Sequence, residues 1–176
     1  MRIGIDISQL AYEKTGVANY LKNLVLELLS FDEKNEYILF YASRKNIGSD
    51  ISELLNNPNV LIKHVKLPPK ILDILWNRFH IFPIEKFIGN VDIFITSDWT
   101  EPPVKKARKG TILYDLIVYK YPSETDKKIV DTQKRKLKWV KKESDIVFCI
   151  SEATKKDAME ILGIDKEKLR VIYPGI

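Results

Sequence analysis

The chain has 176 residues, 45% of them hydrophobic, the size of one domain whose core can stand without disulfides or a structural metal. Its single cysteine, Cys149, excludes a disulfide framework and a Cys-rich metal site and points to a reducing compartment. No apolar run reaches the roughly 18 residues of a membrane-spanning helix, and a net charge of +5 fits anionic ligands, membranes or nucleic acid without separating them.

Arg2 to Ile7 is mostly apolar, the pattern of a strand buried on both faces at the centre of a parallel sheet. The segment MRIGIDISQL is therefore a strand and not a basic leader, so a cytoplasmic location is expected. After the loop SQLAYEKTG, the spacing of Val17, Tyr20, Leu21, Leu24, Val25 and Leu28 predicts a helix from about Val17 to Leu29. Thr15 and Gly16 place free amides at its N-terminus, beyond the carboxyl end of the first strand, where an anion is welcome; a plain turn explains the same glycine. Glu36 to Ala42 reads as the second strand, Ile51 to Leu55 as a short helix ending in an Asn-Asn-Pro-Asn turn, and Val60 to Val65 as the third strand.

Pro68 and Pro69 open an amphipathic helix through about His80, with Ile71, Leu72, Leu75 and Phe79 in register and Trp76, Phe82, Phe87 and Ile88 adding apolar bulk. These aromatics either pack the helix on its neighbours or form an exposed rim for a lipid or membrane. Val91 to Ile95 is the fourth strand, and its carboxyl end runs into TSDWTEPP. There Trp99 suits stacking on a sugar face, with Asp98 and Glu101 accepting hydroxyl hydrogen bonds, although a Pro-stiffened loop with its Trp tucked in reads equally well. Lys109 to Leu113 is the fifth strand, and Asp115, just beyond it, suits either a sugar hydroxyl or the capping of the next turn.

A helix is expected from about Glu124 to Glu143, with Ile129, Gln133, Leu137 and Val140 inward and eight cations outward: Lys127, Lys128, Lys134, Arg135, Lys136, Lys138, Lys141 and Lys142. Such a face is either solvated or holds anionic lipid headgroups; nucleic acid is disfavoured because no aromatic strand platform accompanies it. The last thirty residues read as strand Ile146 to Ile150, a helix capped by Ser151 and stopped at Gly163, and strand Leu169 to Tyr173. Two strands joined by one helix form a right-handed parallel crossover, so the fold expected is α/β, a Rossmann-like doubly wound and mostly parallel sheet of about seven strands with helices on both faces.

SEATK after a buried strand, then LGI and VIYPG, together with GIDISQL at Gly4, EKTGVANYLKNLV at Glu13 and GTILYDLIVYKYPSE at Gly110, resembles the N-terminal domain of family-4 (group 1) glycosyltransferases of GT-B fold. The resemblance implies one half of a two-domain enzyme: residues 1–172 as the acceptor-side domain, 173–176 as the start of an interdomain linker, and a separate C-terminal domain, absent here, that holds the donor. It implies a retaining transfer of a hexosyl group, mannose or glucose, from a nucleotide sugar to a saccharide or lipid-linked acceptor, without metal or cofactor. Gly16 would face the donor diphosphate, Asp98, Trp99, Glu101 and Ser151 would lie toward the acceptor and sugar, and Tyr114 and Asp115 would stand at the reacting centre. Many family members carry His where this chain has Tyr114, and a phenol with an ordinary pKa of about 10 is a poor proton shuttle at neutral pH. The resemblance further implies a chain inactive alone, with possible peripheral contact at the inner membrane face. A stand-alone module for a phosphorylated or nucleotide ligand, or the docking subunit of a split transferase, remains open.

Overall fold

The computed structural model describes residues 1–12, 15–44, 47, 57–97 and 99–175; the short helix expected at Ile51 to Leu55 lies outside them, as does Asp98. Seven strands form one all-parallel sheet: β1 (Arg2–Asp6), β2 (Glu36–Ala42), β3 (Val60–Val65), β4 (Ile93–Thr96), β5 (Arg108–Leu113), β6 (Ile146–Cys149) and β7 (Leu169–Val171). Their order is β3-β2-β1-β4-β5-β6-β7, the doubly wound pattern, and the two strands expected at Glu36 and Val60 have the expected bounds. Chain direction across the sheet reverses beside β1, so β2 lies on one side of it and β4 on the other.

Period-two alternation divides β2 between two cores. Tyr37, Leu39 and Tyr41 pack with Leu21, Val25 and Leu29 of α1 (Gly16–Phe31), while Ile38, Phe40 and Ala42 pack on the opposite face with Leu72 and Trp76. An isolated helix of 16 residues is marginal in water. Burial of those three α1 side chains contributes roughly 5–9 kcal/mol gross, so packing rather than propensity holds α1 in place. Gly4 in β1 lets β4 come close: a Cβ there would lie 2.7 Å from Phe94 Cδ2.

The segment after β3 departs from its expected register. A single α-turn, α2 (Pro69–Leu72), passes into a π-helical stretch over Asp73–Arg78, and the wider turn directs Trp76 and Asn77 inward while leaving Phe79 63% exposed. Phe79 and Ile71, expected inward, are thus surface residues; Trp76, against Phe40 and Phe87, is the core aromatic, and Phe82 is exposed. The stretch ends in left-handed backbone at His80 (φ 54°) and Phe82 (φ 61°). Tertiary contacts hold that strained turn: His80 stacks on Trp139 at 3.7 Å and bonds Glu143 Oε2 at 2.8 Å, and Trp76 Nε1 donates to the Phe82 carbonyl at 3.0 Å.

Two short helices follow, α3 (Glu85–Ile88) and α4 (Ile117–Lys120). Then comes α5 (Lys127–Glu143), which begins three residues later than expected because Asp126 is its N-cap, its side chain accepting from Lys128 N. Its inward residues are Val130, Lys136, Leu137 and Val140; Ile129 is 39% exposed, and Lys136, expected on the solvated face, is 2% exposed. The terminal crossover is as expected: α6 (Glu152–Glu160) starts at Ser151, whose Oγ accepts from Thr154 N at 3.0 Å, and closes at Gly163 with φ 63°. No helix among the described residues is long and apolar enough to cross a membrane.

Candidate functional site

In a doubly wound sheet ligands bind beyond the carboxyl ends of the strands, at the point where strand order reverses. Here that is the crevice between β1 and β4, bordered by the loops that follow each. Three adjoining cavities occupy this edge. The first, about 500 Å³, lies between Gln9, Tyr12, Trp99 and Ile129; the second, about 270 Å³, between Trp99, Tyr114, Asp115 and Gln133; the third, about 710 Å³, between Gly16, Tyr20, Tyr114, Asp115 and Tyr173. Trp99 and Ile129 border both the first and the second, Tyr114 and Asp115 both the second and the third, and Val17 joins the third to the first. Residues more than 80 positions apart in sequence thus share one cleft.

Trp99 is a wall because the loop bearing it is fastened from beneath. Asn77, delivered inward by the π-helical stretch, donates to the Trp99 carbonyl at 2.9 Å and accepts from Glu101 N at 2.9 Å. Lys136 donates from Nζ to the Ser97 carbonyl at 2.5 Å. Glu101 does not meet the cleft as expected for a sugar-hydroxyl acceptor: it is 0% exposed, and its carboxylate accepts from Thr96 Oγ1 at 2.8 Å and Thr111 Oγ1 at 3.0 Å and pairs with Lys109 Nζ at 3.2 Å. A buried carboxylate so bound is unavailable to a ligand, and its place in the site is as a support of the Trp99 loop. Lys109 also reaches Glu143 at 3.2 Å. Burial alone would raise the Glu143 carboxyl, but the His80 hydrogen bond and the Lys109 charge outweigh it and hold it below the ordinary carboxylate range.

Tyr114 is fixed from three sides. Its hydroxyl lies 3.3 Å from Ser97 Oγ, its ring meets Tyr20 edge-on at 5.7 Å, and its carbonyl accepts from Thr154 Oγ1 at 3.0 Å. Asp115 is exposed on the wall between the second and third cavities, and its Oδ1 accepts from Ile117 N at 3.0 Å, closing an Asx turn that leads into α4 while its other oxygen remains for a ligand. Gly16 is exposed at the start of α1 on the wall of the third cavity, where a helix offers unpaired amides, and Thr15 caps that helix by accepting from Ala18 N at 3.1 Å. Ser151 belongs to none of the three walls, its hydroxyl engaged as the α6 cap.

Asp6, at the carboxyl end of β1, is buried, and burial pushes its carboxyl up to about 6 against the Ser8 hydrogen bonds and the Lys136 charge, which favour the ionised form. Sequence reasoning passed over Asp6, Gln9, Tyr20, Asn77 and Lys136. Lys136 alone carried a signal: it stands three residues after Gln133 and four before Val140, on the inward stripe of its helix. Among the described residues no group of three or more His, Cys, Asp and Glu is arranged to hold a metal ion.

The family model of Glycosyltransferase Family 4 matches residues 14–176. The chain belongs to glycosyltransferase family 4. As a family-4 domain it carries a glycosyltransferase-like fold, and its seven-stranded parallel sheet is Rossmann-like, as expected. No curated protein matches the chain. Among solved structures it is similar to a short-chain dehydrogenase from Oenococcus oeni PSU-1, at 16% identity and a TM-score of 0.35, over 99% of this chain and 80% of that one. The topology of the family-4 domain rests on its own strand order and not on that likeness.

Proposed function

We propose that this family-4 domain is the acceptor side of a retaining glycosyltransferase that moves a hexosyl group, mannose or glucose, from a nucleotide sugar to a saccharide or lipid-linked acceptor. The carrying observation is the row of three adjoining cavities at the β1/β4 reversal, divided by Trp99 and by Tyr114 with Asp115. In this reading Trp99 stacks on the apolar face of a sugar, Asp115 accepts a hydroxyl hydrogen bond, and Tyr114 donates one without shuttling a proton. The sugar passes through an oxocarbenium-like state with no metal, and the amides at Gly16 stabilise the departing diphosphate from the third cavity. A second, donor-binding domain faces this edge and supplies most of the nucleotide contacts, so residues 1–172 by themselves do not turn over. A cytoplasmic protein peripheral to the inner membrane face agrees with the cations on the outer side of α5.

The test measures nucleoside diphosphate release from nucleotide sugars by the chain alone and by a form joined to a donor-binding domain. Transfer is expected only from the joined form, and Asp115→Ala within it lowers the rate at least about tenfold while costing the fold about 1 kcal/mol through the lost hydrogen bond from Ile117 N. Turnover by the chain alone overturns the two-domain reading; an unchanged rate in the Asp115 variant removes that residue from the site.

A further inference from the structure

Both ring nitrogens of His80 face groups that only accept. Nδ1 lies 2.8 Å from the Trp76 carbonyl oxygen and Nε2 lies 2.8 Å from Glu143 Oε2. A neutral imidazole has one N–H and would set a lone pair against the other oxygen, so the arrangement needs either an imidazolium or a protonated Glu143. Glu143 Oε2 also receives the Lys109 ammonium at 3.2 Å, which makes Glu143 the carboxylate and His80 the imidazolium. The contacts continue inward, because Lys109 Nζ is also 3.2 Å from Glu101 Oε1. His80, Glu143, Lys109 and Glu101 thus form a chain of alternating charge, with side-chain exposures of 8, 26, 0 and 0%. With His80 charged the chain is neutral; with His80 neutral it keeps one negative charge where little water reaches. Cations oppose the imidazolium: Lys109 itself, Arg78 on the same segment, and Lys138 and Lys142, whose ammoniums lie 5.4 and 5.0 Å from the centre of the Trp139 ring on which His80 stacks. Arg78, Lys138 and Lys142 are exposed and screened by solvent, whereas Glu143 is in direct contact.

We propose that His80 is a positioning residue for the cleft, an imidazolium that closes this chain of charges and keeps the Trp99 loop in place, so that loss of its proton loosens the wall between the first and second cavities. Two routes carry the effect. Lys109 stands at the same distance from both carboxylates, and once Glu143 loses its imidazolium it draws the ammonium away from Glu101, two residues after Trp99. The second route runs through the π-helical stretch, whose left-handed end His80 ties to Trp76 and α5. The residue after Trp76 is Asn77, which holds the Trp99 carbonyl and Glu101 N. The acid form is the fixed one and the alkaline form the loose one. This inference goes beyond the transferase reading and does not depend on it.

The experiment is proton–nitrogen NMR of the imidazoles and indoles of the whole chain across the neutral and mildly alkaline range. The chain has two histidines, and His64 is the internal comparison. It too stacks on an aromatic ring, Tyr41 at 4.1 Å, but among the described residues only its Nε2 meets a partner, the Ser43 carbonyl at 2.9 Å. His80 is expected to show two ring N–H groups at a pH where His64 shows one, and to hold its second proton about tenfold or more tightly than His64. The Trp99 indole signal, identified by its loss in Trp99→Phe, is expected to move with the same midpoint as the His80 ring. In His80→Gln, whose amide can donate to Glu143 without charge, that movement disappears and the signal stays near the alkaline position of the parent. A single ring N–H on His80 once His64 has lost its second proton overturns the inference. A Trp99 signal that stays still through the His80 titration, or that moves alike in parent and variant, overturns it too. The ring protons and the shared midpoint are both read on the parent protein, so the inference can fail even where the variant does not fold.

Discussion

Replacing Lys109 by Met removes one cation from a place no water reaches. Its ammonium stands 3.2 Å from Glu101 Oε1 and 3.2 Å from Glu143 Oε2, and the side chains of Lys109 and Glu101 have 0% exposure. Methionine fills nearly the same volume, so the loss is electrostatic. Glu101 keeps the Thr96 and Thr111 hydroxyls, at 2.8 and 3.0 Å, but two neutral donors do not compensate a charge in the core. Breaking a buried pair in this way costs about 3–5 kcal/mol, which in a chain of this size is a fall in Tm of about 8–14 °C. Combining Lys109→Met with Glu101→Gln removes the stranded charge while an amide oxygen still accepts from one hydroxyl, and stability is expected to return to within about 2 kcal/mol of the parent. Urea unfolding at pH 7 followed by circular dichroism measures all three proteins. A single variant that loses less than about 1 kcal/mol, or a double variant no better than the single, would refute the claim that this pair is a desolvated ionic contact.

Asp6 carries a pH dependence of definite sign. Its folded carboxyl titrates at about 6, above the roughly 3.9 of an unfolded aspartate, so between those values the folded protein holds a proton that the unfolded chain has lost. This group's contribution to stability is therefore largest below about pH 4, declines by about 2–3 kcal/mol as pH rises to 6, and is level above. Asp6→Asn, which can still accept from Ser8 N and Ser8 Oγ, is expected to remove that decline in chemical denaturation from pH 4 to 7 and to be the more stable form at pH 7. Cys149, 0% exposed and pushed up to about 11 by burial, is expected to resist thiol reagents at pH 8 until denaturant opens the sheet; prompt labelling of the native protein would place it outside the core.

The elements that were legible in the sequence are those whose cause is local. Strands β2 and β3 are apolar runs between turn residues, and α6 begins and ends on its own cap and glycine, Ser151 and Gly163. The resemblance and the apolar patterns together placed Trp99, Tyr114, Asp115 and Gly16 on one edge, because all follow parallel strands at their carboxyl ends. What could not be read depends on partners distant in sequence. Glu101 looks like a surface carboxylate until Lys109, in the neighbouring strand, and the Thr96 and Thr111 hydroxyls enclose it. Lys136 looks like one cation of eight until Ser97, 39 residues away, receives its ammonium. The π-helical stretch that turns Phe79 outward and Asn77 inward is held by Glu143 and Trp139, more than 60 residues further along.

These distant contacts share a consequence for the cleft. Relative to well-packed hydrocarbon a buried ion pair contributes little net stability, so the effect that distinguishes Glu101 and Lys109 is placement. From Glu101 the chain runs back through Thr100 to Trp99, and Asn77 grips the backbone at both ends of that short segment, at Glu101 N and the Trp99 carbonyl. Downstream, Pro103 is tied by its carbonyl to Ile84 N at 3.0 Å, and upstream Ser97 is tied to Lys136. The backbone on either side of Trp99 is therefore tied at Ser97, Glu101 and Pro103 as well as at Trp99 itself, which holds the indole's attachment in place. A wall shared by two cavities needs that fixity, because a shift in it enlarges one chamber at the expense of the other. Glu101 and Lys109, which line none of the three cavities, thus help set the shape of a surface they never touch.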